Sequence, residues 1–208
     1  MRVTHRVFLL SPASCAGRRC ALLCARGADF ELARRIRRGG APLGDVFSFL
    51  SALYFRGKLA YARRFASAPD GSPAVLVITP DRGLVAPETT IRLRDLRAFA
   101  RVPVDPDEPR YARPLRSAAE ALRSRLPEDA ELVLLGSIAT PKYAEVLQAA
   151  LDCPLLFPVD FVGRGDMSRG GLLLRAVRSG RELDYRAIDT VPRRGTRPPR
   201  LVPVQATR

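Results

Sequence analysis

Residues 132–147 read LVLLGSIATPKYAEVL. Leu132 to Leu135 is an apolar run without alternation, the pattern of a strand covered on both faces within a parallel sheet. Gly136 and Ser137 end it and Thr140 follows. Pro141, a residue favoured in a first helical turn, predicts a helix from there to about Leu151. A buried strand feeding a helix is the repeating unit of an α/β layered fold. Lys142 at the head of that helix raises a question of function. A glycine, short hydroxyl side chains and unpaired N–H groups at a helix start suit a phosphate or carboxylate. They equally suit ordinary capping.

The same unit recurs along the chain. Strands are expected at Val3–Leu10, Ala74–Thr79, Leu155–Val159 and Leu183–Ile188. Helices are expected over 29–38, stopped by Gly39-Gly40, over 42–66 with a bend at Gly57, and over 93–100, 111–126 and 172–177. The apolar positions of the long helix fall at helical spacing, so its aromatic residues read as core, whereas Tyr61, flanked by Lys58, Arg63 and Arg64, reads as an exposed ring. The expected fold is therefore α/β, a single domain over 1–191 with three layers and a mainly parallel sheet of about four to five strands. Residues 192–208, rich in Pro and Arg without periodicity, read as a disordered basic tail.

Composition narrows the partners. The 208 residues carry a formal charge of +14, and all but two of the 35 basic residues are arginine. Residues 1–66 and 164–208 are basic and the middle is mildly acidic, a layout suited to nucleic acid or a nucleotide-like anion. The longest apolar stretch, Val46 to Phe55, is too short to cross a bilayer, which needs about 20 residues. The few apolar residues after Arg6 are too brief for a signal peptide, so a cytoplasmic protein without a membrane partner is expected. Cys15, Cys20 and Cys24, spaced C-x4-C-x3-C, match no common zinc or cluster spacing, and with Cys153 they read as packed thiols. No metal site is indicated, and the cofactor stays unknown. The single histidine, His5, stands early in the first strand, which disfavours a Ser–His–Asp device.

Candidate site residues follow from the rule that ligands of open α/β sheets bind beyond the carboxyl ends of the strands. Three strand ends are alike: LLSPAS, VITPDRG and LLGSIAT. They nominate Ser11, Ser14, Thr79, Arg82, Gly136, Ser137, Thr140 and Lys142 as ligand-binding. The glycine-rich stretch 163–171, read as a loop, adds Arg164, Ser168 and Arg169. With no usable histidine, acid–base work falls to carboxylates, Asp81 and Asp166 first and Asp160 third. GSIATPK lacks the second glycine of a Walker loop, and GRG has no long strand before it, so neither is a phosphate fingerprint.

The stretch 78–91, ITPDRGLVAPETTI, resembles the strand–Gly-Leu-Val–Pro turn of small bacterial and phage α/β domains. Those are loosely similar to a domain accompanying archaeosine and deazaguanine transglycosylase-type enzymes. VFSFLSALYFRGKLAYARRF (46–65) and GRGDMSRGGLLLRAV (163–177) resemble a family of uncharacterised proteins from GC-rich bacteria. These resemblances imply nucleic-acid or nucleoside biology and assign no catalytic residue. Binding of a nucleic acid or nucleotide is the leading expectation. An enzyme acting on a small phosphorylated or carboxylated metabolite, with an Asp as acid or base, is the alternative.

Overall fold

The computed structural model of the chain describes residues 5–199 and 201. The first half holds β1 (Arg6–Leu10), α1 (Arg18–Cys24), α2 (Glu31–Arg38), β2 (Ala41–Pro42), α3 (Leu43–Phe65), β3 (Val75–Thr79), β4 (Gly83–Val85), β5 (Thr90–Ile91) and α4 (Leu93–Phe99). The second half holds α5 (Pro109–Arg123), β6 (Glu131–Leu135), α6 (Ala144–Leu151), β7 (Leu155–Pro158), α7 (Asp166–Ser179) and β8 (Tyr185–Ala187).

The apolar runs pair side by side in a six-stranded sheet of order β4-β3-β1-β6-β7-β8. β1, β3, β6 and β7 are parallel, and β4 and β8 close the edges antiparallel. The sheet is larger than the four to five strands expected. The strand that sequence reading placed in a turn is β4, a three-residue hairpin return too short to announce itself. β2 and β5 form a separate two-stranded ribbon.

Connections from β1 to β3 and from β3 to β6 run in opposite directions across the sheet. Right-handed crossovers therefore place α3 on one face and α5 with α6 on the other. α7 packs on α3, and α5 on α6, which completes the three layers. Gly57 of α3 and Gly170 of α7 meet at the first of these contacts. A Cβ on Gly57 would lie 2.8 Å from Gly170 O, and one on Gly170 would lie 2.8 Å from Leu53 O. Only glycine lets two helix backbones approach so closely. Gly57 thus serves a crossing, and the break in α3 falls instead at Ala52, whose φ of 46° is left-handed.

Three further boundaries differ from the sequence reading. α7 begins at Asp166, so most of the stretch read as a glycine-rich loop is helix, with Gly170 turned to α3. α6 begins at Ala144, leaving Pro141 and Lys142 in the turn before it. α1 was not expected at all. Of the expected tail, residues 192–199 carry no helix or strand. They run against the Val162–Gly163 turn, where a Cβ on Gly163 would lie 2.1 Å from Thr196 O. Residues 1–4, 200 and 202–208, the start of the first expected strand and the rest of the tail, lie outside the described residues.

Candidate functional site

β1 sits between β3 and β6, and the chain leaves it in opposite directions on the two sides, so the crevice at the β1–β6 carboxyl ends is the switch point of the sheet. The register Leu10↔Leu135 brings the ends of β1 and β6 level, while Leu10↔Val77 lets β3 run two residues further, to Thr79. Ser11 N donates to Leu135 O at 3.0 Å, and a Cβ on Gly136 would lie 3.0 Å from Ser11 Cβ. Gly136 is the residue that leaves Ser11 its room.

A cavity of about 570 Å³ opens above these ends, within the roughly 300–1,000 Å³ usual for ligand pockets. Ser11, Ser14, Ser137, Lys142 and Asp166 line it together. Asp166 is the only carboxylate among the described lining residues. Five of the expected site residues, drawn from the ends of β1 and β6 and the start of α7, thus share one space. His5 lies at the opposite, amino end of β1.

The remaining expected residues do other work. Thr79 Oγ1 donates to Gly83 O and accepts from Arg82 N, holding the β3–β4 turn. Arg82 pairs with Asp95 at 2.7 Å and lies over the Phe99 ring. Asp81 Oδ1 is 3.3 Å from Arg82 Nε, within ion-pair distance but without hydrogen-bond alignment. Burial holds the Asp81 carboxyl above its ordinary range, with Arg82 opposing. Its charge is felt by Cys15, a cavity-lining thiol that burial pushes up to about 12. Gly136 stands behind Ser11, and Thr140 is exposed outside the cavity. Arg164 and Ser168 bond each other at a second cavity, which shares Asp166 with the first. Arg169 is buried, and its Nε and Nη2 both donate to Phe161 O, which ties α7 to the end of β7.

Several lining residues carried no signal. Arg101, Val102, Pro103 and Val104 form one wall from the loop expected over 102–109. Leu50, Ser51 and Tyr54 line another, on either side of the break at Ala52. A non-glycine residue at positive φ costs on the order of 1–3 kcal/mol and recurs at ligand sites. Tyr54 is 5% exposed, and its hydroxyl has no hydrogen-bond partner among the described residues. Burial raises its pKa, opposed by the nearby Arg169, which stands close enough to act electrostatically without a well-formed hydrogen bond to the phenol.

Beneath Tyr54 lies Lys58, 1% exposed. Its Nζ donates to Ser11 O at 2.6 Å and bonds Ser11 Oγ at 2.8 Å. The ammonium position is 4.5 Å from the Tyr54 ring centroid and 5.0 Å from that of Phe55. Burial drives the amine down to about 7, with the Asp166 charge opposing and Arg169 adding to the fall. Sequence reading used Lys58 only as a flank for Tyr61. That ring is in fact fully buried, its hydroxyl bonded to Tyr185 Oη and accepting from Leu183 N. The signal for Lys58 was its position four residues after Tyr54 on the apolar face of α3.

Comparison with known protein families, with curated proteins and with solved structures finds no match to this chain.

Proposed function

We propose that the protein binds a small nucleotide-like anion in the β1–β6 crevice. The observation that carries this reading is a single one: Ser11, Ser14, Ser137 and Lys142 line the same cavity as Tyr54, whose buried hydroxyl lacks a partner among the described residues. A buried hydroxyl left unpaired costs about 1–3 kcal/mol, a cost that a ligand hydrogen bond removes. The serines and Lys142 suit phosphate oxygens. Tyr143, Pro103 and Val104 line the same cavity and suit a planar apolar group such as a base. The resemblance of residues 78–91 to domains accompanying nucleoside-modifying enzymes points the same way.

Calorimetric titration with nucleoside mono-, di- and triphosphates tests the proposal. One of these is expected to saturate the protein at one site per chain, with affinity reduced in Tyr54→Phe. If none saturates it, the nucleotide reading fails.

A second reading, an enzyme acting on a small phosphorylated or carboxylated metabolite, is favoured by one observation. Asp166 lines the cavity as its lone described carboxylate, a group that could act as acid or base on a bound substrate. Asp81, tied to Arg82, is the weaker candidate.

A further inference from the structure

The floor of the cavity holds a pair that anion binding alone does not use. Ser11 is only 4% exposed but lines the cavity, at the first position past β1. Lys58 reaches it from α3 with Nζ 2.8 Å from Oγ. Among the described residues Lys58 forms no ion pair, and its enclosure is two aromatic rings and the Ser11 backbone. A lysine kept simply as a buried cation is normally given a carboxylate, because an unpaired buried charge is costly. Burial and the neighbouring Arg169 favour the free amine, against Asp166 and the two rings, which favour the ammonium. A neutral amine has a lone pair to offer, and among the described residues the one hydroxyl within bonding distance of it is that of Ser11. The second contact, Nζ–H to Ser11 O at 2.6 Å, holds the amine beside Oγ and leaves its lone pair free to take the Oγ–H proton.

We propose that Ser11 is a nucleophile and Lys58 its general base, and that this cavity catalyses acyl transfer from an ester or similarly activated carboxyl group. The inference goes beyond the nucleotide reading and does not depend on which anion binds. Serine–lysine pairs are recognised by such roles and geometry rather than by sequence position.

The steps balance as follows. Ser11 Oγ forms a bond to the substrate carbonyl carbon while its proton passes to Lys58 Nζ, giving a tetrahedral oxyanion and an ammonium. The oxyanion collapses, the bond from carbon to the leaving oxygen breaks, and that oxygen takes the proton from Nζ. A water molecule then attacks the acyl-Ser11 carbonyl, again giving its proton to Nζ. Collapse releases the carboxylic acid, and Ser11 Oγ recovers its proton from Nζ. Donors for the oxyanion are present in the same cavity. Tyr54 Oη has no partner, and the N–H groups of Ala13 and Ser14 make no hydrogen bond among the described residues. The charges that face Lys58 from α7 are Asp166, which favours the ammonium, and Arg169, which favours the amine; Ser11 and the Tyr54 and Phe55 rings complete its surroundings.

The test uses an alkyl fluorophosphonate on the full chain, read by intact mass and peptide mapping. Attack by Ser11 Oγ on phosphorus expels fluoride and leaves a stable adduct. The expected result is one adduct, on Ser11, whose rate rises with pH and levels off above about 7 as Lys58 loses its proton. Ser11→Ala abolishes it. Lys58→Met keeps the side chain's length and bulk without the base, and slows it on the order of 100-fold. The pH profile of the unmodified protein needs no variant, so it stands even if Lys58→Met folds poorly. No adduct on Ser11, or one whose rate is flat with pH or unchanged in folded Lys58→Met, overturns the proposal. Nucleotide titration of the same sample has its own readout, so failure of the couple and failure of the nucleotide reading are told apart.

Discussion

Lys58 Nζ lies 2.8 Å from Ser11 Oγ and 2.6 Å from Ser11 O, so the buried lysine of α3 is spent on the first residue past β1. Helix α3 and the central strand are thereby joined at the floor of the cavity. Whatever occupies that cavity rests on this contact.

The contact has a signature in the pH dependence of stability. The Lys58 pKa falls from 10.5 in the unfolded chain to about 7 in the fold, so between those values the unfolded state binds more protons. Stability must then rise with pH across that window. The buried thiols Cys15 and Cys20 act oppositely, their raised values costing stability as pH climbs past 9. The window from about 7 to 9 is therefore the informative one. In thermal melts the unmodified protein should gain on Lys58→Met steadily across it. Parallel curves for the two proteins would mean that Lys58 stays charged in the fold.

The α3–α7 crossing makes a packing prediction. In Gly170→Ala the new methyl meets backbone, Leu53 O at 2.8 Å and Tyr54 Cα at 2.9 Å, so the helices must part. Overpacking of this kind costs about 1–3 kcal/mol, seen as a lowered melting temperature. Gly165→Ala, with nothing within 4 Å of its Cβ, is the matched control and should melt close to the unmodified protein. Equal melting of the two variants would contradict the close approach.

Lys142 is exposed on the cavity rim, and its fixed contact is through the backbone, where its carbonyl accepts from Tyr111 Oη at 2.7 Å. Lys142→Ala should therefore weaken anion binding several-fold, about 1 kcal/mol for one partly solvated charge, with the melting curve unmoved. Early unfolding with undiminished affinity per folded molecule would make the lysine structural.

The sequence made this rim legible because strand ends announce themselves. An apolar run that stops on Gly-Ser or Ser-Pro locates a sheet edge, and the switch-point rule then gathers Ser11, Ser14, Ser137 and Lys142. The floor was hidden for a physical reason. Tyr54 and Lys58 sit on the same helical face as Phe55 and Ala62, and apolar spacing describes that face equally well whether its polar tips are paired, solvated or aimed at a ligand. The break at Ala52 has no proline or glycine to mark it. Arg169 misled in the other direction: an arginine beside Ser168 in a glycine-rich stretch suggests a ligand contact, but only packing decides that its guanidinium goes to Phe161 O.

The basic face predicts a separate, weaker behaviour. Arg34, Arg35 and Arg38 of α2 are exposed, two of them in ion pairs with half of their surface still open. Polyanions such as duplex DNA should bind at low salt and be released as salt rises, with a slope set by the few phosphates engaged. Fluorescence anisotropy measures this directly. Absence of binding at low ionic strength would remove the polynucleotide form of the partner reading.

The central claim is that the β1–β6 crevice, rather than the arginine face, holds the specific ligand. The most direct measurement is a backbone-amide NMR titration with the nucleoside phosphate selected by calorimetry, at salt high enough to screen surface charge. The account predicts saturable shifts gathered at Ala13, Ser14, Ser137, Lys142, Tyr54 and Asp166, with α2 silent. Shifts confined to Arg34–Arg38, or none at the strand ends at saturation, would contradict it.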